Sequence, residues 1–159
     1  MRKSRTTSIH TKFRSQFLLA NEDVPFINTD IDLQRIAKDK YCREGDLVIA
    51  DASEDYDDIG KTIELIDLDN EKVLAGLHTL LARPLNDDIF IGYGAYMMAC
   101  ENVRKQIKII AQGTKVLGLS TGRMNKILLP VPSKPEQQKI AAFLAAIDCK
   151  MGVISNERS

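Results

Sequence analysis

The stretch GTKVLGLSTG, residues 113–122, is one residue away from a phosphate-binding loop. Such a loop reads G-x-x-x-x-G-K-[ST]. Gly113 and Gly118 have the right spacing and Ser120 stands where the hydroxyl belongs, but Leu119 takes the place of the lysine. Leucine cannot supply the charge that β- and γ-phosphates require. What remains, Thr114, Lys115, Thr121 and Arg123, offers hydroxyls and cations of the kind that hold a nucleic-acid backbone. A second near-match is FIGYG, residues 90–94, which fits the F-x-G-x-G of an S-adenosylmethionine loop. That chemistry needs an apolar strand before the loop and an acid about 20 residues later to hold the ribose. Here RPLNDD precedes it, and residues 103–135 contain no Asp or Glu. A helix is the expected reading, and no N-P-P-[FY] methyltransferase motif occurs.

The acidic run DASEDYDDIGK invites a calcium reading, which both registers refuse. Counted from Asp51, the glycine position is Tyr56; counted from Asp55, a ligand position is Ile59. Of the two histidines, His10 lies in the basic start and His78 in AGLHTLL, where a hydrogen-bonded strand residue is expected. Neither has a Cys or Ser partner at a recognisable spacing, so nucleophilic catalysis has no support. Cys42, Cys100 and Cys149 are odd in number and far apart, with no zinc or disulfide pattern, which points to a reducing compartment.

These residues sit in a chain of 159 that is 44% hydrophobic and 28% charged, enough for one globular domain with a real core. The longest apolar run, IFIGYGAYMMAC, is too short and glycine-containing to span a bilayer. No apolar core follows the basic start, so no signal peptide is expected. Net charge is zero but unevenly placed. Residues 1–20 carry five bases and no acids, residues 21–71 five bases and sixteen acids, and residues 72–159 twelve bases and six acids. Only the C-terminal part favours a polyanion electrostatically.

Residues 1–20 are expected to be poorly ordered. VPFIN reads as a short strand, EGDLVIADA as a buried strand after a Gly45-Asp46 turn, and KTIELIDL as a strand with alternating Ile63 and Leu65. VLAGLHTLLARP is expected to form one further strand ending at Pro84. From Ile89 the period turns helical, through Phe90, Tyr93, Met97, Val103, Ile107 and Ile110. A second helix starts at Glu101 or Asn102 and ends at Gly113, which fits a left-handed C-cap. Gly118 would let the chain pass close to DNA or to a neighbouring strand. Ser120 caps a short turn, and ILLPVP reads as an edge strand limited by its prolines. Ser133 and Glu136 have capping-box spacing, with Pro135 in the first turn. The helix so opened carries a strongly amphipathic stripe of Ile140, Phe143, Leu144, Ile147 and Met151.

Three stretches taken together carry a resemblance. GDLVIADASEDYDDIGK, AGLHTLLARP and QGTKVLGLSTGRMNKILLPVPSKPEQQKIAAFLAAID resemble, in that order and spacing, a target recognition domain of type I restriction–modification specificity subunits. YGAYMMACENVRKQIK fits between them, and LP-P---EQQKIA-FL--ID resembles the opening of that family's spacer helix. The resemblance covers roughly residues 24–151. It implies an α+β fold, a twisted, mostly antiparallel sheet with flanking helices, followed by a C-terminal amphipathic helix. The expected division is a poorly ordered segment over 1–20, the recognition domain over 21–132, and a short spacer helix and tail over 133–159.

The resemblance further implies a non-catalytic, cytoplasmic module without a cofactor of its own. It would read one half of a split double-stranded DNA target and dock methylation subunits, which carry S-adenosylmethionine. Restriction subunits carry the ATP-dependent motor and nuclease. The expected DNA contacts are Ser53, Asp55, Lys61, His78, Thr79, Lys115, Thr121 and Arg123, with cations on phosphates and the others on base edges. Ile140, Phe143, Leu144, Ile147 and Met151 are expected at the subunit interface. Full specificity subunits have two recognition domains and two long helices. One domain, and a helix expected to end just after Met151, leave two expectations open: a half-subunit that pairs with a second one or with itself, or a truncated or regulatory fragment that keeps subunit association but not DNA recognition.

Overall fold

The computed structural model describes residues 6–9, 17–19, 38–68 and 72–156. In chain order its elements are β1 (Thr6–Ile9), β2 (Phe17–Leu19), a 3-10 turn (Lys38–Lys40), β3 (Leu47–Ala50), β4 (Ala52–Ser53), β5 (Thr62–Ile66), β6 (Lys72–Ala75) and β7 (Thr79–Ala82). Then come α1 (Gly94–Ala99), α2 (Glu101–Ile110), β8 (Leu117–Gly118), α3 (Thr121–Met124) and α4 (Lys134–Asn156). The main sheet has the order β2-β5-β3-β7, and β1-β6 and β4-β8 form separate pairs. β3 runs antiparallel to β5 and β7, and β4 to β8, while β2 and β1 run parallel to their partners. The fold is therefore α+β with a mostly antiparallel sheet. Within the first twenty residues, 6–9 and 17–19 are strands; the remainder, His10 included, and VPFIN lie outside the described residues.

Alternation along β3 and β5 divides the core. Leu47 and Ile49 face α1 and α2 and pack with Met98, Val103 and Ile107. Val48 faces the other way, with Ile63, Leu65, Val73 and Cys42. Burial pushes the Cys42 thiol up to about 11, so it behaves as a small apolar side chain. Glu64, between Ile63 and Leu65, must by the same alternation point at the helices. It is fully buried there. Burial raises its carboxyl above the usual range, against the hydrogen bonds it accepts from backbone N–H groups. At the head of β3, buried Asp46 accepts two bonds from Arg83, from Nε at 2.8 Å and Nη2 at 2.7 Å, and ties β7 to the sheet.

Four expectations about elements are corrected. VLAGLHTLLARP is two strands, because residues 76–78 turn and His78 adopts φ +62°. The helical pattern from Ile89 begins only at Gly94, since Gly92 at φ +99° cannot continue a right-handed helix. α2 starts at Glu101 but ends at Ile110 with Ala111 as C-cap, so Gly113 caps nothing. ILLPVP is extended but belongs to no sheet.

Side chains replace strand pairing along that last segment. Gln106 donates from Nε2 to Leu128 O and accepts from Leu128 N–H, at 3.0 and 2.9 Å. Tyr93 Oη donates to Pro130 O at 3.0 Å. Gln137, fully buried, donates from Nε2 to Pro132 O and Asp88 O and accepts from Phe90 N–H, each at 2.8 Å. α4 thus begins locked onto two loops. Half of the expected capping box forms: Glu136 Oε2 accepts from Ser133 N–H at 3.0 Å, but Ser133 Oγ donates to the same oxygen at 2.6 Å while Glu136 N–H donates to Ser133 O, and the two bonds to the carboxyl hold it below the usual range. α4 continues past Met151 to Asn156, longer than expected.

Gln137→Leu keeps the volume but leaves three backbone groups without their partner. Each buried unpaired group costs about 1–3 kcal/mol. Urea unfolding should show a loss of at least that size, while Gln138→Leu, at an exposed position, should be close to neutral.

Candidate nucleic-acid interface

The expected DNA contacts come from five segments of the chain, and backbone pairing gathers them around one stretch, Ala50–Ser53. Ala50 N–H donates to Lys61 O at 2.9 Å, and Asp51 N–H donates to His78 O at 3.1 Å. Leu119 N–H donates to Asp51 O at 2.8 Å. In the β4–β8 pair Ala52 faces Gly118 and Ser53 faces Leu117. Ala50 also pairs with Thr79 in the main sheet. Lys61, His78, Thr79, Ser53 and the 115–121 segment are therefore neighbours, although nothing in their spacing along the chain says so.

Their side chains differ in what they are free to do. Lys115 and Thr121 are exposed, and the His78 ring is 64% exposed. Arg123 is half-buried and donates to Gln112 Oε1. Thr79 Oγ1 donates to Gly76 O at 2.6 Å and shapes the turn. Ser53 Oγ accepts from Asp55 N–H at 3.0 Å, and Asp55 Oδ1 accepts from Asp57 N–H at 2.8 Å, so both hold the acidic loop in shape. Lys61 pairs with Asp58. Asp57 binds Lys108 at 2.5 Å, which holds its carboxyl below the usual range, and Arg104 Nη2 donates to Asp57 O at 3.1 Å. The acidic loop is thus engaged with the basic face of α2.

Both near-matches to nucleotide loops are explained by where their amides point. Gly118 N–H donates to Gln112 O at 2.8 Å and Leu119 N–H to Asp51 O, so the amides beside Ser120 are taken up inside the protein. Gly113 adopts φ +146° because a Cβ there would stand 1.8 Å from Val116 O. Gly118 has room around it, with only Gln112 O near, at 3.7 Å. In FIGYG, Gly92 N–H and Ala95 N–H donate to Glu64 Oε1 and Oε2 at 2.7 and 2.9 Å. The anion at this helix start is the protein's own carboxylate. Among the described residues no group of His, Cys, Asp and Glu could hold a metal ion, and no helix is long and apolar enough to cross a membrane.

The type I restriction modification DNA specificity domain family matches residues 8–158. The chain belongs to this family. In fold it is similar to the S subunit of the type I restriction–modification system from M. genitalium, 15% identical, with a TM-score of 0.49. The match covers 93% of this chain and 35% of that one, so the chain spans about a third of that subunit's length. No curated protein matches it.

A second surface of the specificity domain lies on α4, where the expected stripe divides in two. Leu144 turns inward with Ala141 onto Tyr93, Tyr96 and Met97. Tyr96 Oη donates to Asp148 Oδ2 at 2.7 Å along the same face. Ile140, Phe143, Ile147 and Met151 face outward, Phe143 being 66% exposed. Sequence reading missed Asp51, Glu64, Gln106 and Gln137. For Glu64 the strand alternation was a usable signal; for the others nothing local marks the role.

Millimolar ATP should leave the thermal midpoint unchanged, because Leu119 stands where a triphosphate needs a lysine and the Gly118 and Leu119 amides are already bonded. Gly113→Ala should lower the midpoint by several degrees by opening the 113–117 loop. An ATP-induced rise that Ser120→Ala abolishes would restore the phosphate loop.

Proposed function

We propose that this specificity domain is a non-catalytic, cytoplasmic DNA-reading module. It reads one half of a bipartite double-stranded target for a type I restriction–modification complex. The observation that carries this reading is the convergence of cations, hydroxyls and an imidazole on the Ala50–Ser53 edge through backbone pairing. Lys115 and Arg123 hold phosphates; His78 and Thr121 stand where base edges would pass. Lys61, Ser53, Thr79 and Asp55 support the edge as much as they contact the target. The intramolecular pairing of Asp57 and Asp58 limits repulsion of the polyanion.

The outward row on α4 supports association. Ile140, Phe143, Ile147 and Met151 recur at steps of three and four, the period of a helix that packs on another helix. Its partner is a second specificity helix, from another domain or another copy, with the methylation subunits docked alongside and the restriction subunits joining them. S-adenosylmethionine and ATP belong to those partners.

Two experiments test the two surfaces. The first is DNA binding by the domain purified with its methylation subunit. Lys115→Ala should weaken binding to all sequences alike and lower the salt slope by about 1. An unchanged slope removes Lys115 from the phosphates. Retained subunit association with no DNA binding at all favours the fragment reading instead. The second is size-exclusion chromatography of Phe143→Glu with Ile147→Glu. Both side chains point away from the domain's core, so the domain should stay folded while the complex is lost. Co-elution with the partner unchanged would show that this row is not the interface.

A further inference from the structure

Asp51 joins the two halves of the reading edge through its backbone, and its side chain points the same way. Oδ1 is buried and accepts no hydrogen bond from any described group. His78 Nδ1 stands 3.7 Å from it, just beyond hydrogen-bonding distance. A buried carboxylate oxygen without a donor is costly, and an imidazole N–H is the donor nearest to hand. A small side-chain rotation closes the gap.

His78 is built to be held this way. Its backbone sits at φ +62°, in the left-handed region that histidine enters more often than most residues. Its carbonyl accepts from Asp51 N–H, and Thr79 Oγ1 bonds Gly76 O across the same turn. The ring remains mostly exposed. Leu77 beside it is 78% exposed, so the turn presents both residues outward.

We propose that Asp51 is a positioning residue that fixes the tautomer of His78, an inference that rests on the DNA-reading function proposed above. With Nδ1–H committed to Asp51 Oδ1, the neutral ring turns its Nε2 lone pair outward as an acceptor. In the major groove, adenine N6 and cytosine N4 carry N–H donors, whereas guanine and thymine offer only acceptors. A phosphate oxygen is likewise an acceptor. The base read by His78 is therefore adenine or cytosine.

The first arm needs no DNA. Long-range 15N–1H correlation spectra of the full chain at pH 8.5 report which ring nitrogen carries the proton. The chain has two histidines, and His78→Gly, unstrained at positive φ, identifies the signals. Wild type should show Nδ1–H. Asp51→Ala should shift the ring towards Nε2–H, and Asp51→Asn, which keeps a carbonyl oxygen, should restore part of the Nδ1–H form. Nε2–H in wild type overturns the inference alone, even if Asp51→Ala fails to fold.

The second arm selects from a randomised duplex pool, at the same pH, with the methylation-subunit complex. One base pair of the half-site should be preferred through the exocyclic amine of its adenine or cytosine, so replacing that base with purine or 2-pyrimidinone, which lack the amine, should cost wild type about tenfold and cost His78→Gly nothing. His78→Gly and Asp51→Ala should each reduce that preference about tenfold and leave the other positions unchanged. An amine replacement that costs wild type nothing, or that costs His78→Gly as much as wild type, or a uniform fall in affinity in the variants, overturns the inference while the DNA reading stands. No enriched sequence with wild type overturns both.

Discussion

Gln137 has both of its side-chain N–H donors and its carbonyl oxygen engaged, and no part of it is open to solvent. Buried backbone groups must find partners, and chain that is neither helix nor strand cannot supply them locally. One amide here serves Asp88, Phe90 and Pro132 together. It fixes the loop that enters α1, the segment that leaves α3, and the first turn of α4. Leu144, Ala141 and the Tyr96–Asp148 bond then extend a contact that Gln137 has already oriented. An apolar residue at 137 could fill the space but could not set the angle at which α4 departs. If the outer face of the helix serves another subunit, as proposed, that angle is the functional quantity.

Glu64 does the same for α1. The helix has no side-chain cap of its own, and its first amides are covered by a carboxylate reaching from β5. Desolvation raises the carboxyl's pKa, yet the amides aimed at it favour the charged form. The glycines of FIGYG are needed for this approach: a Cβ at Gly94 would stand 2.9 Å from Leu47 Cδ2 and 3.3 Å from Glu64 Oε2. The motif thus has the physics of an anion loop, turned inward and used for packing. The GTKVLGLSTG loop is closed by the Gln112–Gly118 pair, with Leu117 and Leu119 buried and residues 113–116 exposed.

What was legible in the sequence follows from the range of the forces involved. The strands Leu47–Ala50 and Thr62–Ile66 are set by alternation, the opening of α4 by its capping box, and α2 by its apolar period; all are local signals. The late start of α1 and the turn at His78 depend on left-handed residues whose need arises from tertiary contacts. ILLPVP has the composition of a strand, but its amides and carbonyls meet Gln106, Tyr93 and Gln137, which lie 22, 37 and 5 residues from their bonding partners there. The apolar stripe on α4 was visible, but its division was not, since only the position of Tyr93 and Tyr96 decides that Leu144 turns inward. Lys61, His78, Thr79 and Ser53 are brought beside residues 117–119 by backbone pairing, and Asp51, whose amide and carbonyl make two of those bonds, carries no local mark.

The uneven charge of the chain also acquires a structural meaning. The acidic loop after β4 and the basic helix α2 lie side by side at the surface, where exposed Asp57 pairs with Lys108 through its carboxylate and with Arg104 through its carbonyl. A surface pairing of this kind offsets two opposite fields, and beyond about 10 Å at ordinary salt little of either survives. The cations of the 113–123 loop then act next to a neutralised neighbour instead of a negative one. On the proposed DNA reading, phosphate attraction at this edge would come from few charges, which would keep sequence-independent affinity low. On the same reading, discrimination would come from side chains at the Ala50–Ser53 edge, whose neighbouring turns are tied by the backbone bonds of Asp51.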